Sequence, residues 1–493
     1  MHKALFAKLH FSILLFLILA LQAPTNIALA AGEYNFFKID DYISKQMQES
    51  RIPGLALGIV KDNQIIYVKS FGSANTSGRS ITPQTPFIIG SVSKSFTAIA
   101  IMQLVETGKI DLDAPVQKYI SWFRVSNLDD SSKITVRHLL NQTSGLSTPT
   151  GWRIFTEEKN KTLEQLVHDL DSARLLNSPG QKFEYSNANY LVLGQIIQTI
   201  SNQSYGDYIK EHIFIPLKMQ SSFTSLQSAQ QNGLAKGYQH WLSIPVQSNH
   251  PYLNNSLPAG YLISSAEDMT HYLISQMNEG RYDDTSILSP TSISQLHQSA
   301  INISKNQNYG MGFYIEKINN TNILWHGGLI PDFNADMIMI PEKKLGIVVL
   351  ENDGLPWSAK YIGEGVASLL LNEKLNTDGI SPPRLYLIII IASLFLISLT
   401  VLSLISLFKW LRYVENKESK DIKIKILPLG RDIILPLCYF IVPALLMDVS
   451  LQKVAIIFLP DFGYILLITM SLLLLIGVTR LIIFFKYRAE RKK

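Results

Sequence analysis

The stretch "IIGSVSKSFTAIAIMQLVETGKIDL", residues 88–112, sets the reading of the chain. Ser91 stands three residues before Lys94, at the mouth of an apolar run with helical spacing. A helix starting near Ser91 puts both side chains on one face. It also places the serine where free backbone N–H groups and the helix dipole favour an oxyanion. A lysine packed at the base of such a helix loses hydration, and its pKa falls. Reaching a general base's working range, about 7–8, takes two to three units at about 1.4 kcal/mol each. A serine can become a nucleophile this way without a His triad. The bare pattern means little by itself. It recurs as Ser450-Leu-Gln-Lys453, between two apolar segments, and its plainer reading is a solvated charge.

Two further clusters accompany it. "FEYSNANYLVLGQII" carries Tyr185 and Asn187 just before another apolar helical pattern. A phenol there can share a proton with a lysine or serine, and an amide can hold both a lysine and a substrate carbonyl. The plainer reading is a turn tyrosine with an Asn helix cap. "LWHGGLIPDF" carries His326-Gly327-Gly328, and of ten histidines this is the one followed by Gly-Gly. Two strand glycines permit close approach of another backbone; the plainer reading is a bulge beside a buried histidine. Asp111-Leu-Asp113 could be paired carboxylates, but a turn-and-cap role fits better. Tyr252-Leu-Asn254 sits in a polar loop.

The ends of the 493-residue chain differ from its middle. Residues 1–30 combine Lys3 and Lys8, a short apolar run and an Ala28-Leu-Ala30 terminus. They read as a secretory signal peptide, or else as an uncleaved anchor. Near the C-terminus, 385–408 lacks charges over about 24 residues, roughly 36 Å as a helix, enough to span a bilayer. Segments 432–449 and 464–485 are expected as second and third spans. Residues 409–431 hold seven Lys and Arg, whereas the segment between the second and third spans holds Lys453 alone. This bias places the basic loop and the 486–493 tail in the cytoplasm and residues 32–375 on the extracytoplasmic face. Arg480, late in the third span, is expected to snorkel to the cytoplasmic interface. Residues 376–384 form a polar Gly/Pro linker.

The formal charge of +5 conceals this partition. From residue 381 onward there are 15 Lys and Arg against 7 Asp and Glu, which leaves the exported region mildly acidic. Nothing in it points to nucleic acid. Its one cysteine, Cys438, falls in the second span, so the exported region has no disulfide. No metal-binding or phosphate-cradling motif is present, so no cofactor and no metal are expected. Within 32–375, "GLALGIVKDNQIIYVKSFG" reads as a hairpin turning at Asp62-Asn63, and 335–353 as late strands turning at Pro341–Lys344. Helical patterns fill 92–107, 161–171, 188–201, 205–213, 266–279, 290–298 and 357–374. The expected fold is α+β, an antiparallel sheet built from N- and C-terminal strands with a helical region inserted between them.

Taken in order, Ser91-x-x-Lys94, Tyr185-x-Asn187 and His326-Gly327-Gly328 resemble the motifs of the serine β-lactamase and penicillin-binding protein superfamily, in its class C β-lactamase-related branch of DD-peptidases, D-aminopeptidases and esterases. The stretches "ITVRHLLNQTSGLS", "SPGQKFEYSNANY", "PAGYLISSAEDMTHYL" and "IVVLEND" resemble that family in the same order. The resemblance implies that Ser91 forms an acyl-enzyme and that Lys94 and Tyr185 share the acid/base work. It implies that Asn187 orients Lys94 and the substrate amide, and that the N–H groups of Ser91 and Leu329 form the oxyanion hole. Many relatives carry Lys-Thr-Gly at the third motif. His326 supplies a cation only below about pH 6.5 unless its pKa is raised, which weakens the case for efficient β-lactam hydrolysis. Asp332 and Tyr261 stand where relatives often have Gly and are expected to reshape the cleft. The resulting expectation is a membrane-anchored extracytoplasmic serine hydrolase. Its partners would be the lipid bilayer and a small peptide, amide or ester substrate, with D-amino-acid peptides of the peptidoglycan type first. An esterase or β-lactamase is the alternative, and a non-catalytic β-lactam sensor or envelope scaffold is the rival from another class.

Overall fold

The computed structural model describes residues 34–157, 160–248, 250–318, 321–372, 381–415, 430–446 and 451–490. The signal peptide, most of the linker, most of the basic loop and the last three residues lie outside the described residues. The main sheet has eight strands. They are β1 (Gly54–Lys61), β2 (Gln64–Gly72), β5 (Ile301–Ser304), β6 (Gln307–Gly310), β7 (Phe313–Ile318), β8 (Thr321–Ile330), β9 (Phe333–Ile340) and β10 (Leu345–Glu351); β3 (Tyr238–Trp241) and β4 (Ile244–Gln247) form a separate hairpin. Spatial order is β2-β1-β10-β9-β8-β7-β6-β5, antiparallel throughout. The sheet therefore joins N-terminal to C-terminal strands, as the sequence pattern predicts.

The main helices are α1 (Phe36–Ser50), α2 (Ser93–Glu106), α3 (Thr148–Glu157), α4 (Asn187–Ser201), α5 (Ala266–Met277), α6 (Ser358–Leu371), α7 (Pro382–Glu415), α8 (Leu435–Leu446), α9 (Leu451–Phe458) and α10 (Pro460–Glu490). α1 and α6 cover one face of the sheet. Leu55, Leu57 and Ile59 of β1 meet Ile39, Ile43, Ile362 and Val366 there. Ala56 and Val60 point the other way, into the larger core shared with α2, α4 and α5. Burial on both faces explains why β1 and β10 read as unbroken apolar runs rather than alternating ones. The β1–β2 turn falls at Asp62 and Asn63, both left-handed, which is the backbone a two-residue hairpin requires.

Two helices, α7 and α10, are long and apolar enough to cross a membrane. The second expected span is shorter than predicted. It comprises a π-turn over Gly430–Ile434 and the 12-residue α8, about 18 Å of helix against a core of about 30 Å, while 447–450 lie outside the described residues. Arg480 also departs from expectation. It is buried, its guanidinium 3.6 Å from the Asp432 carboxylate and donating to the Ser403 carbonyl at 3.3 Å, so it pairs between helices instead of reaching out to the interface. A fully buried carboxylate on the adjoining turn is the reason.

Candidate active site

Ser91 lies in a 3₁₀ turn, Gly90–Val92, that runs directly into α2. The turn is held from below. Ser93 Oγ donates to the Gly90 carbonyl at 2.7 Å and accepts from the Leu262 N–H at 3.1 Å. From above, β8 lies flush against it. Gly90 has φ +53°, and a Cβ there would come within 2.6 Å of Leu329 N; a Cβ on Gly328 would collide with the Ile89 carbonyl. The two glycines thus bring the Leu329 backbone amide beside the Ser91 turn.

Lys94 is completely buried, one helical turn into α2. Its Nζ lies 2.9 Å from Ser91 Oγ, 2.8 Å from Asn187 Oδ1 and 2.6 Å from the Ala259 carbonyl. The last two partners can only accept, whereas a hydroxyl can accept or donate. A neutral amine satisfies all three at once. Its two N–H bonds serve the amide and the carbonyl, and its lone pair receives the Ser91 hydroxyl proton. Burial drives the Lys94 pKa well below the ordinary lysine value. Electrostatics and hydrogen-bond geometry therefore point to the same protonation state.

Asn187 is the first residue of α4, so its side chain emerges where the backbone has just turned. Ser186 does not cap α4 with its side chain; its Oγ donates to the Ser147 carbonyl at 2.8 Å, and its N–H donates to Gln142 Oε1 at 3.0 Å. Tyr185 brings its ring 4.9 Å from Lys94 Nζ, and the Ser91 hydroxyl is a hydrogen-bond partner of its phenol. Burial, with Tyr314 and Tyr309 nearby, raises its pKa well above the usual tyrosine value, so the phenol keeps its proton at neutral pH. Ser91, Lys94, Tyr185 and Asn187 thus converge on one point, as their types and order predict.

His326 also lies here, its ring 6.3 Å from that of Tyr185, but it carries no charge. Burial and the proximity of Lys94 lower its pKa to about 3. Nδ1 sits 2.7 Å from the Gly327 carbonyl, which fixes the proton on Nδ1. The expectation that His326 might supply a cation in mild acid is therefore corrected. Tyr261 is wholly buried, and Asp332 packs against Gly237, where a Cβ would come within 2.6 Å of its carboxyl carbon. Both side chains are packed inside the fold, so the expected reshaping of the cleft by their projection does not occur. Asp111 and Asp113 take the turn-and-cap role. Asp111 Oδ1 accepts from the Asp113 N–H at 2.9 Å, and Asp113 receives two bonds from Arg137. The Ala259 carbonyl, a partner of Lys94, has no side-chain signature that sequence reading could have found.

Residues 39–370 match the beta-lactamase family model. The chain belongs to the beta-lactamase family. Its members are serine hydrolases that work through an acyl-enzyme. The chain is 29% identical over 339 residues to Protein flp of Staphylococcus aureus strain MW2, covering 68% of this chain and 67% of that one. It is 26% identical to Unguisins hydrolase ungD' of Aspergillus campestris, covering 68% and 65%. Among solved structures, the octameric penicillin-binding protein homologue from Pyrococcus abyssi superposes with a TM-score of 0.62 at 30% identity, covering 70% of this chain and 79% of that one. A class C beta lactamase from Rhodobacter sphaeroides superposes at 0.57 and 22% identity, covering 68% and 98%, a likeness of fold.

Proposed function

We propose that the protein is a membrane-anchored serine hydrolase whose catalytic domain faces away from the cytoplasm and which cleaves small amides of D-amino-acid peptides. The observation that carries the reading is the buried Lys94, bonded to Ser91, Asn187 and the Ala259 carbonyl in the pattern of a neutral amine. Lys94 takes the Ser91 proton as Oγ attacks the substrate carbonyl carbon. The oxyanion is met by the N–H groups of Ser91 and Leu329. The C–N bond then breaks, a proton from Tyr185 or Lys94 leaves with the amine, and an acyl-Ser91 ester remains for water to hydrolyse. The opposed shifts support this division of labour, since burial makes Lys94 the weaker acid-holder and Tyr185 the firmer one. A neutral His326 offers no fixed cation for a substrate carboxylate, which favours peptide or ester turnover over rapid β-lactam hydrolysis. The two long apolar helices support the anchor.

The test uses the full chain in detergent with a D-alanyl-D-alanine peptide, its L,L counterpart, a small ester and a penicillin, beside Ser91→Ala. Turnover of the D,D peptide that is lost in the variant supports the reading. Turnover of the ester alone moves the assignment to an esterase, and rapid loss of the penicillin to a β-lactamase.

A further inference from the structure

The β3–β4 hairpin carries an apolar tip that the fold does not use. Trp241, Leu242, Ile244 and Val246 are exposed, Leu242 by 68% and Ile244 by 56%. The tip residues Leu242 and Ser243 have φ +51° and +64°. A two-residue turn of this shape favours Asn or Gly, because a Cβ is strained there. Here the position is filled by a leucine whose side chain faces outward. A strained, exposed apolar residue points to something outside the chain.

The surroundings identify it. The Trp241 ring stacks on Tyr464 with centroids 5.7 Å apart, and the Leu242 N–H donates to Asp461 Oδ2 at 2.9 Å. Both partners lie in the first turns of α10. Gln239 Nε2 donates to the Ile457 carbonyl at 2.5 Å, and His240 packs 5.1 Å from Tyr386 in the first turns of α7. The hairpin therefore stands at the level where both long helices begin, among tyrosines and a tryptophan. Aromatic side chains gather at that level at membrane–water interfaces. We infer that the β3–β4 hairpin dips into the headgroup region of the bilayer and seats the catalytic domain on the outer leaflet. The inference rests on the reading of α7 and α10 as membrane spans.

A second contact ties this seat to the chemistry. Trp152 of α3 packs edge-on against Phe458 at the end of α9, ring centroids 5.1 Å apart. The neighbouring Gly151 lies so close to α4 that a Cβ would stand 2.6 Å from Asn187 N. One residue thus separates a contact with the membrane-side helices from the backbone that positions a site side chain. The seat holds the site at a fixed height, suited to substrates presented at the membrane surface.

The test places an environment-sensitive fluorophore on single cysteines in the full chain, reconstituted in phosphatidylglycerol/phosphatidylcholine vesicles, with Cys438→Ser as background. Leu242→Cys reports the hairpin, Ile391→Cys the middle of α7, and Lys305→Cys the aqueous surface. The expected result is a blue-shifted Leu242 probe, quenched by headgroup-proximal spin-labelled lipid and several-fold less by iodide than the Lys305 probe. Quenching by iodide to the level of Lys305 would overturn the inference. So would protection from both quenchers, which would mean that protein covers the tip. If the Ile391 probe is not quenched by lipid, the reading of the spans fails, and the inference fails with it. Unchanged circular dichroism and elution volume certify each variant's fold.

Discussion

Two adjacent glycines should differ sharply on substitution. In Gly328→Ala the new methyl meets the Ile89 carbonyl oxygen and comes within 3.2 Å of Gly90 Cα. Both are backbone atoms of the strand and turn that carry the nucleophile, so no side chain can swing away. Strand β8 must retreat by about 1 Å before the methyl reaches an ordinary contact. That displaces the Leu329 amide from the position beside Ser91. A misplacement of about 1 Å costs on the order of 10²-fold, and loss of an oxyanion donor about 10²–10³, or roughly 3–4 kcal/mol. In Gly327→Ala the nearest atom to the methyl is a Trp325 ring carbon at 3.7 Å, which is normal packing. The assay is the second-order rate of fluorophosphonate labelling of the purified full chain. Thermal unfolding run in parallel separates misfolding from a displaced site. The expected outcome is a loss of about 10²–10³ for Gly328→Ala and a rate within a few-fold of wild type for Gly327→Ala. Equal losses in the two variants, or a folded Gly328→Ala that labels normally, would refute the geometry.

Other outcomes follow from the same structure. Lys94→Met should retain the fold and lose about 10²–10⁴ in labelling rate. In the wild type, the depressed Lys94 pKa means the base is free above that value, so the rate should rise as pH passes through it and level off well below pH 10. His326 should stay neutral and Nδ1-protonated from pH 5 to 8 by NMR, titrating near its shifted value of about 3, so it adds no limb near pH 6.5. Asp336 is buried, with its pKa raised to about 8, so ionisation is disfavoured in the folded state. Stability should therefore decline as pH rises from about 4 towards 8, and Asp336→Asn should raise the melting temperature at pH 8 more than at pH 5. Protease added outside intact cells should remove the catalytic domain and spare a tag after Lys493, given the basic flanks of the long helices.

The site was largely legible in the sequence because its chemistry is concentrated in side chains at element starts. Ser91 and Lys94 announce themselves by helical spacing, and Tyr185 and Asn187 by their place before an apolar run. The parts that stayed hidden are made of backbone or of weak patterns. The Ala259 carbonyl that holds Lys94 could be any residue's carbonyl. The β3–β4 hairpin turns at Leu242-Ser243, a pair with no turn signature, and Pro245 argues against a strand there. Strands β5 to β7 are short and polar at their edge, so neither alternation nor apolar runs mark them. Helix α3 begins Thr148-Pro149-Thr150, which reads as loop until the chain beyond it is placed. The state of His326 depended on burial, which spacing cannot show.

The most direct test of the account is the mass of the labelled protein. The full chain is treated with a fluorophosphonate, digested and mapped, with Ser91→Ala and Lys94→Met treated alongside. The account predicts one adduct, on the peptide carrying Ser91, absent in Ser91→Ala and formed far more slowly in Lys94→Met. A folded wild-type chain that takes no label, or labels at another residue, would contradict it.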